Sequence, residues 1–175
     1  MRRAVFGLFV LLGLMGPANA DDGPPLITIT GASISDGIGP GGDRASLFEV
    51  LGIQFDDAIA FSSADLAALD QTSFPAQISG YSEPVMVSGP LLADVVATAG
   101  LEGDVAIYAL DGYSAVITAD LMAEARPVLA THISGVPFML GGLGPTLIAF
   151  PQTALEADAE LEALQVWAVF HIRVD

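Results

Sequence analysis

Short apolar blocks alternate along this chain with glycine, proline and acidic residues, and the spacing inside each block predicts its element. Leu26 to Thr30 (LITIT) is β-branched and reads as a strand that Gly31 ends. A loop with Gly37, Gly39, Gly41, Gly42 and Pro40 follows, and Asp43 is placed to cap a short helix that runs through Leu51 and closes at Gly52. Ser62 to Asp65 has the capping-box form before a helix over Ala64 to Leu69. Phe74 to Ile78 and Val85 to Val87 read as extended runs around a Gly80-Tyr81 turn. Gly89-Pro90 is placed to start the next helix, whose apolar face is Leu91, Leu92, Val95, Val96 and Ala99 and whose end is Gly100. Val105 to Leu110 and Ser114 to Ile117 flank Asp111-Gly112, which predicts an antiparallel hairpin. Thr118 caps a helix over Ala119 to Ala125.

The stretch from Leu129 to Pro151 has no charged residue. It predicts a strand, a turn at Gly135, a glycine-rich crossing (Gly141, Gly142, Gly144) and a second strand stopped by Pro151. Glycines this dense permit close backbone approach to a core or a ligand, so the stretch is a candidate site. An acidic helix over Leu155 to Leu164 comes next. The last strand, Val166 to Val174, alternates, with Trp167, Val169, His171 and Arg173 on one face. That reading leaves His171 exposed or half-exposed, on a face that could dock a partner. Short strands mixed with short helices in this order give an α+β fold with a β-rich core.

Three features outside the pattern change the picture. Arg2-Arg3, the apolar run Ala4 to Met15 and the small residues Ala18-Asn19-Ala20 make residues 1–20 a predicted secretory signal peptide. The apolar run is too short to span a bilayer, so a retained membrane anchor is disfavoured and residues 21–175 form a single expected domain in the periplasm. The arginine pair lacks the hydroxyl and basic neighbours of a twin-arginine signal, which favours general secretion. Beyond the signal, three arginines face 21 acids and no lysine occurs, a surface that repels nucleic acid and anionic lipid. Finally, the chain has no cysteine. Disulfides, thiol nucleophiles, Cys-ligated zinc and iron–sulfur clusters are all excluded.

No nucleophile elbow, phosphate-binding loop with lysine, or H-E-x-x-H pattern occurs. The two histidines, His132 and His171, are read as structural in preference to a catalytic or metal pair. Asp36 and Asp43 do not have the spacing of a calcium loop, and Asp56-Asp57 would point apart on an extended segment.

Several stretches in order, GPLLADVVATAG, DGYS at Asp111 to Ser114, LATHISGVPF, GPTLIAFP and WAVFHIRVD, resemble the molybdopterin-binding domain of sulfite-oxidase-type oxidoreductases over about Leu66 to Asp175. The resemblance implies that family's mixed α+β fold. It also implies where the family's chemistry would lie. The position of the molybdenum-binding cysteine in a pattern similar to C-x-x-G-W falls on Gln77, within Gln77 to Tyr81. An arginine of the family's anion-binding site falls on Leu147, after Gly144-Pro145-Thr146. An amide cannot replace a thiolate, and no other cysteine can supply one.

The resemblance therefore implies a relative for which no cofactor is expected, molybdopterin being the alternative. The family's pterin cleft would here be lined by Gln77, Tyr81, Asp111, Tyr113, His132 and Gly144, where core or rim roles for the two tyrosines stand beside the cleft reading. The expected role is binding of a small neutral or cationic molecule, or of a periplasmic or membrane protein partner. A divergent molybdopterin-dependent oxidoreductase is the alternative.

Overall fold

The computed structural model describes residues 23–34, 37 and 47–175. The expected signal peptide, the Asp36 and Asp43 loop and the Asp43 cap lie outside the described residues.

Strand β1 (Pro25–Gly31) sends Ile27 and Ile29 into the core. A one-turn helix α1 (Leu47–Val50) precedes β2 (Ile59–Ser62), which pairs antiparallel with β1. The capping box forms as expected. Ser62 Oγ accepts the Asp65 N–H (3.2 Å), while Asp65 Oδ2 accepts the Ser62 N–H (2.7 Å), and α2 spans Ser63–Ala68. The Ser62 backbone N–H, followed by its hydroxyl, holds the Asp65 carboxyl below its ordinary pKa.

Strands β3 (Gln71–Ala76) and β4 (Val85–Pro90) pair antiparallel. Here the expectation at Gly89-Pro90 is corrected: both residues end β4, and α3 (Leu92–Thr98) begins after Leu91. The physical reason is proximity, since a Cβ at Gly89 would run into the backbone of Leu129. Gly89 serves the close approach of two strands and not a helix start. Leu92, Val95 and Val96 form the buried face of α3.

The predicted hairpin is present as β5 (Val105–Ala109) and β6 (Ser114–Ile117). Gly112 takes φ +89°, and Asp111 Oδ1 accepts the Tyr113 N–H at 2.9 Å. Thr118 caps α4 (Ala119–Ala125), which ends on Arg126 in the left-handed region, φ 51° and ψ 53°.

The charge-free stretch forms four short strands in place of the two expected: β7 (Val128–Ala130), β8 (His132–Ile133), β9 (Val136–Pro137) and β10 (Leu147–Ala149). The turn at Ser134 and Gly135 folds β8 onto β9, and this hairpin joins β4, whereas β7 pairs with β10. The expected acidic helix is also divided. Asp158 adopts φ −143° and ψ 104° between α5 (Gln152–Ala157) and a 3-10 helix (Ala159–Leu164), and its Oδ1 accepts the Glu160 N–H. The chain then enters β11 (Val169–Val174).

These strands make a five-stranded sheet in the order β2-β1-β11-β5-β6, a β3-β4-β8-β9 sheet and the β7-β10 pair. Only β1 and β11 run parallel among these pairings. The protein is thus a sheet-rich α+β structure with few, short helices. The larger core lies on the five-stranded sheet and includes Ile29, Leu92, Ile107, Leu129, Phe150 and Ile172. Each such side chain contributes about 1.5–3 kcal/mol by leaving water. A smaller core gathers Ile78, Val87, Val128 and Leu147 under the four-stranded sheet.

The final strand departs from simple alternation. Ala168 has φ 49°, the register shifts between Val169 and His171, and His171 is fully buried. The expectation of an exposed or half-exposed His171 is overturned, and with it a docking face built on that residue. Phe48, Phe55, Phe170 and Tyr108 surround the imidazole with ring centroids 5.4–6.1 Å away, so the second face of this sheet is covered at His171.

Candidate functional site

The loop from Gln77 to Tyr81 is built by glutamine side chains. Gln77 Nε2 donates to the Tyr81 carbonyl (2.7 Å), closing the loop on itself. The Gln77 N–H donates to Gln152 Oε1 (2.9 Å), and Gln165 Nε2 donates to the Gln77 carbonyl (2.9 Å). Gln152 and Gln165 were not singled out from the sequence. Their partners lie 75 and 88 residues away, and an isolated glutamine has no pattern that announces such a contact. Gln165 is nearly buried, and its Oε1 has no hydrogen-bond partner among the described residues.

This loop separates two surface hollows. The first, about 350 Å³, lies between Tyr81, Ile133, Phe138 and the glycine-rich segment Met139 to Leu143. The second, about 450 Å³, lies between Ser79, the 3-10 helix at Glu162 and Ala163, Gln165 and Trp167. Tyr113 meets the wall of the second, since its hydroxyl donates to the Ala163 carbonyl (2.7 Å). Asp111 is occupied with its own turn, as described above. His132 is half-buried on β8, its Nδ1 2.9 Å from Thr131 Oγ1. Gly144 is buried beneath Phe138, where a Cβ would stand 2.6 Å from the Phe138 Cβ.

The six candidate residues are accordingly distributed in two groups. Gln77 and Tyr81 share a loop, with Tyr81 facing the glycine-rich segment that Gly144 ends; Tyr113 reaches the other side of that loop through Ala163. Asp111 goes with Tyr113, whose N–H it accepts within their shared turn at 2.9 Å, and no side-chain hydrogen bond joins His132 to the rest of the set among the described residues. Another hollow contains none of the six and lies between β3, α4 and α5.

Chemically, the first hollow offers the Tyr81 phenol in an apolar wall, and the second offers the Gln165 amide, the Ser79 hydroxyl and the Glu162 carboxylate beside Trp167. That set suits neutral hydrogen-bonding groups and apolar surface. It does not suit a thiolate-held metal. No cysteine exists, the Gln77 amide is turned to the Tyr81 carbonyl, and Leu147, at the arginine position of the resemblance, is fully buried in β10. Among the described residues no three His, Cys, Asp or Glu side chains gather to hold a metal ion.

Comparison with known proteins places the fold at the level of architecture. No family model matches the chain, and no curated protein matches it. Among solved structures it is similar to the sulfane dehydrogenase SoxCD from Paracoccus pantotrophus, with a TM-score of 0.51 and 14% identity. The match covers 67% of this chain and 35% of that one, so this chain spans about a third of the enzyme chain it resembles.

Proposed function

We propose that this protein is an exported, periplasmic domain that keeps the sulfite-oxidase-type molybdopterin-binding fold and works without the cofactor, as a binding or interaction module. The observation that carries the reading is Gln77. It stands where the family's molybdenum-binding cysteine would be, and its amide closes its own loop at 2.7 Å. The absence of any cationic side chain at Leu147 points the same way, because oxyanions and pterin phosphates are held by guanidinium forks or helix N-termini. The fold similarity to a sulfane dehydrogenase supports the ancestry of the domain.

The occupant of the two hollows that flank the Gln77 loop, one beside Tyr81 and the glycine-rich segment and the other beside the Ala163 carbonyl held by Tyr113, is a small neutral or cationic molecule, or a segment of a periplasmic or membrane protein. Among the described residues no helix is long and apolar enough to cross a membrane.

Molybdenum content and pterin fluorescence, measured on protein purified from its native source, test the proposal. Less than a tenth of stoichiometric molybdenum and no pterin signal are expected. Stoichiometric metal with pterin would establish instead the second reading, a divergent molybdopterin-dependent oxidoreductase, which the similarity to a sulfane dehydrogenase favours.

A further inference from the structure

A separate hollow of about 470 Å³ opens between β3, the end of α4 and α5. Its volume falls in the range usual for small-molecule sites, about 300–1,000 Å³. Phe74, Leu91, Leu121, Ala154 and Leu161 supply apolar walls, and Arg126, Glu124 and Asp158 supply the charges.

Arg126 is the unusual member. Arg126 and Arg173 are the two arginines among the described residues, and Arg173 is paired with Asp175 at 2.9 Å. The Arg126 guanidinium makes no ion pair or hydrogen bond among the described residues, although the chain is strongly acidic. Its backbone is held at φ 51°, a conformation that glycine or asparagine adopts with less strain. Glycine is the common residue at such a helix end, so the local fold has no need of arginine there. Arg126 is exposed on the wall of the hollow, and a strained residue that lines a hollow with no ion pair among the described residues is a reason to look for a ligand.

The charges define that ligand. A simple anion would meet Arg126 but also the two carboxylates, and a simple cation would meet the carboxylates but also Arg126. A zwitterion satisfies both signs at once, with its carboxylate on Arg126 and its ammonium toward Glu124 and Asp158. Asp158 remains available for this, since its Oδ1 takes the Glu160 N–H and the structure shows no partner on Oδ2. We infer that this hollow binds a small zwitterion with an apolar body, of which an apolar amino acid or dipeptide is the simplest form. This site is distinct from the cleft of the proposed function and does not rest on that reading.

Titration of the full chain with leucyl-phenylalanine, octanoate and octylamine, followed by isothermal calorimetry, tests the inference. Saturable binding of the dipeptide is expected, at least tenfold tighter than either singly charged probe. Arg126→Gly and Arg126→Asn should each weaken dipeptide binding at least tenfold while the melting temperature stays level or rises, because both residues tolerate the left-handed backbone. A residue kept only for the fold would not show that opposition of signs. Leu121→Trp, which fills the hollow, should also abolish binding. Failure of the dipeptide to bind, equal binding by octanoate, or unchanged affinity in the two Arg126 variants would overturn the site. Tyr81→Ala and Tyr113→Ala should leave this binding intact; loss of it there would place the dipeptide in the other cleft and equally overturn the inference.

Discussion

The two main sheets of this protein treat apolar side chains in opposite ways. On the five-stranded sheet both faces are covered at the last strand, so that even the imidazole of His171 is buried among Phe48, Phe55, Phe170 and Tyr108, and exposure of large apolar side chains is confined to edge positions such as Val116 on β6, 59% exposed. On the four-stranded sheet the edge strand β9 and the loop after it leave Val136, Met139 and Leu140 60%, 76% and 72% exposed. No charged residue occurs from Pro127 to Leu155, so this outward apolar surface is not broken by charges of its own segment. Hydrophobic pattern alone therefore does not say what is buried. A partner layer has to be supplied, and only the first sheet has one within the described chain. The second region is the one an interaction module would keep open.

The strongest way to break this contrast is truncation of an equivalent apolar side chain on each side. Phe150→Ala, in the closed core, should cost about 3–5 kcal/mol, while Leu140→Ala should change stability by less than about 0.5 kcal/mol. Chemical denaturation of the two variants checks both values. A loss above about 2 kcal/mol at Leu140 would mean that the loop is packed and not open.

The pH dependence of the closed side is the next largest effect. Burial, as the main cause, lowers the His171 pKa from 6.5 to about 4; the Thr28 backbone offsets part of this, and Arg173 adds to it. The folded protein holds the ring neutral, whereas the unfolded chain takes up a proton below about pH 6.5. Stability is therefore fully present above that pH and falls as pH drops toward 4, by about 3 kcal/mol over the interval. His171→Phe, suited to an aromatic surround, should flatten the dependence, as read by denaturation at pH 7 and pH 4.5.

A smaller effect sharpens the open side. Gly144→Ala brings a methyl group within 2.6 Å of Phe138 Cβ and 2.8 Å of the Met139 carbonyl. The loop must shift, at a cost of about 1–3 kcal/mol. Amide shifts confined to residues 136–146, with the five-stranded sheet unchanged, are the expected signature in heteronuclear spectra.

Local chemistry was the legible part of this chain. The capping box at Ser62 and Asp65, the Thr118 cap and the Asp111-Gly112 hairpin each depend on atoms within a few residues, so their sequence signals are complete in themselves. The helix expected after Gly89-Pro90 was found, but its start was misplaced because the same glycine meets a strand 40 residues away. The α+β character and sheet-rich core were also legible. The burial of His171 was not, since alternation along one strand cannot reveal that a distant segment covers its second face. The candidate cleft was readable only as a set of residues; its division into two hollows follows from glutamine contacts across 75 and 88 positions.

Composition determined, without any coordinates, that this protein owes nothing to cysteine chemistry and carries a strongly acidic surface, because donor atoms and charges are counted before folding. Tertiary structure decided which apolar faces found a cover, which glutamines clasped the Gln77 loop, and that Arg126 lined a hollow without an ion pair among the described residues. Those outcomes rest on contacts between residues far apart in the chain, which spacing along a sequence does not encode.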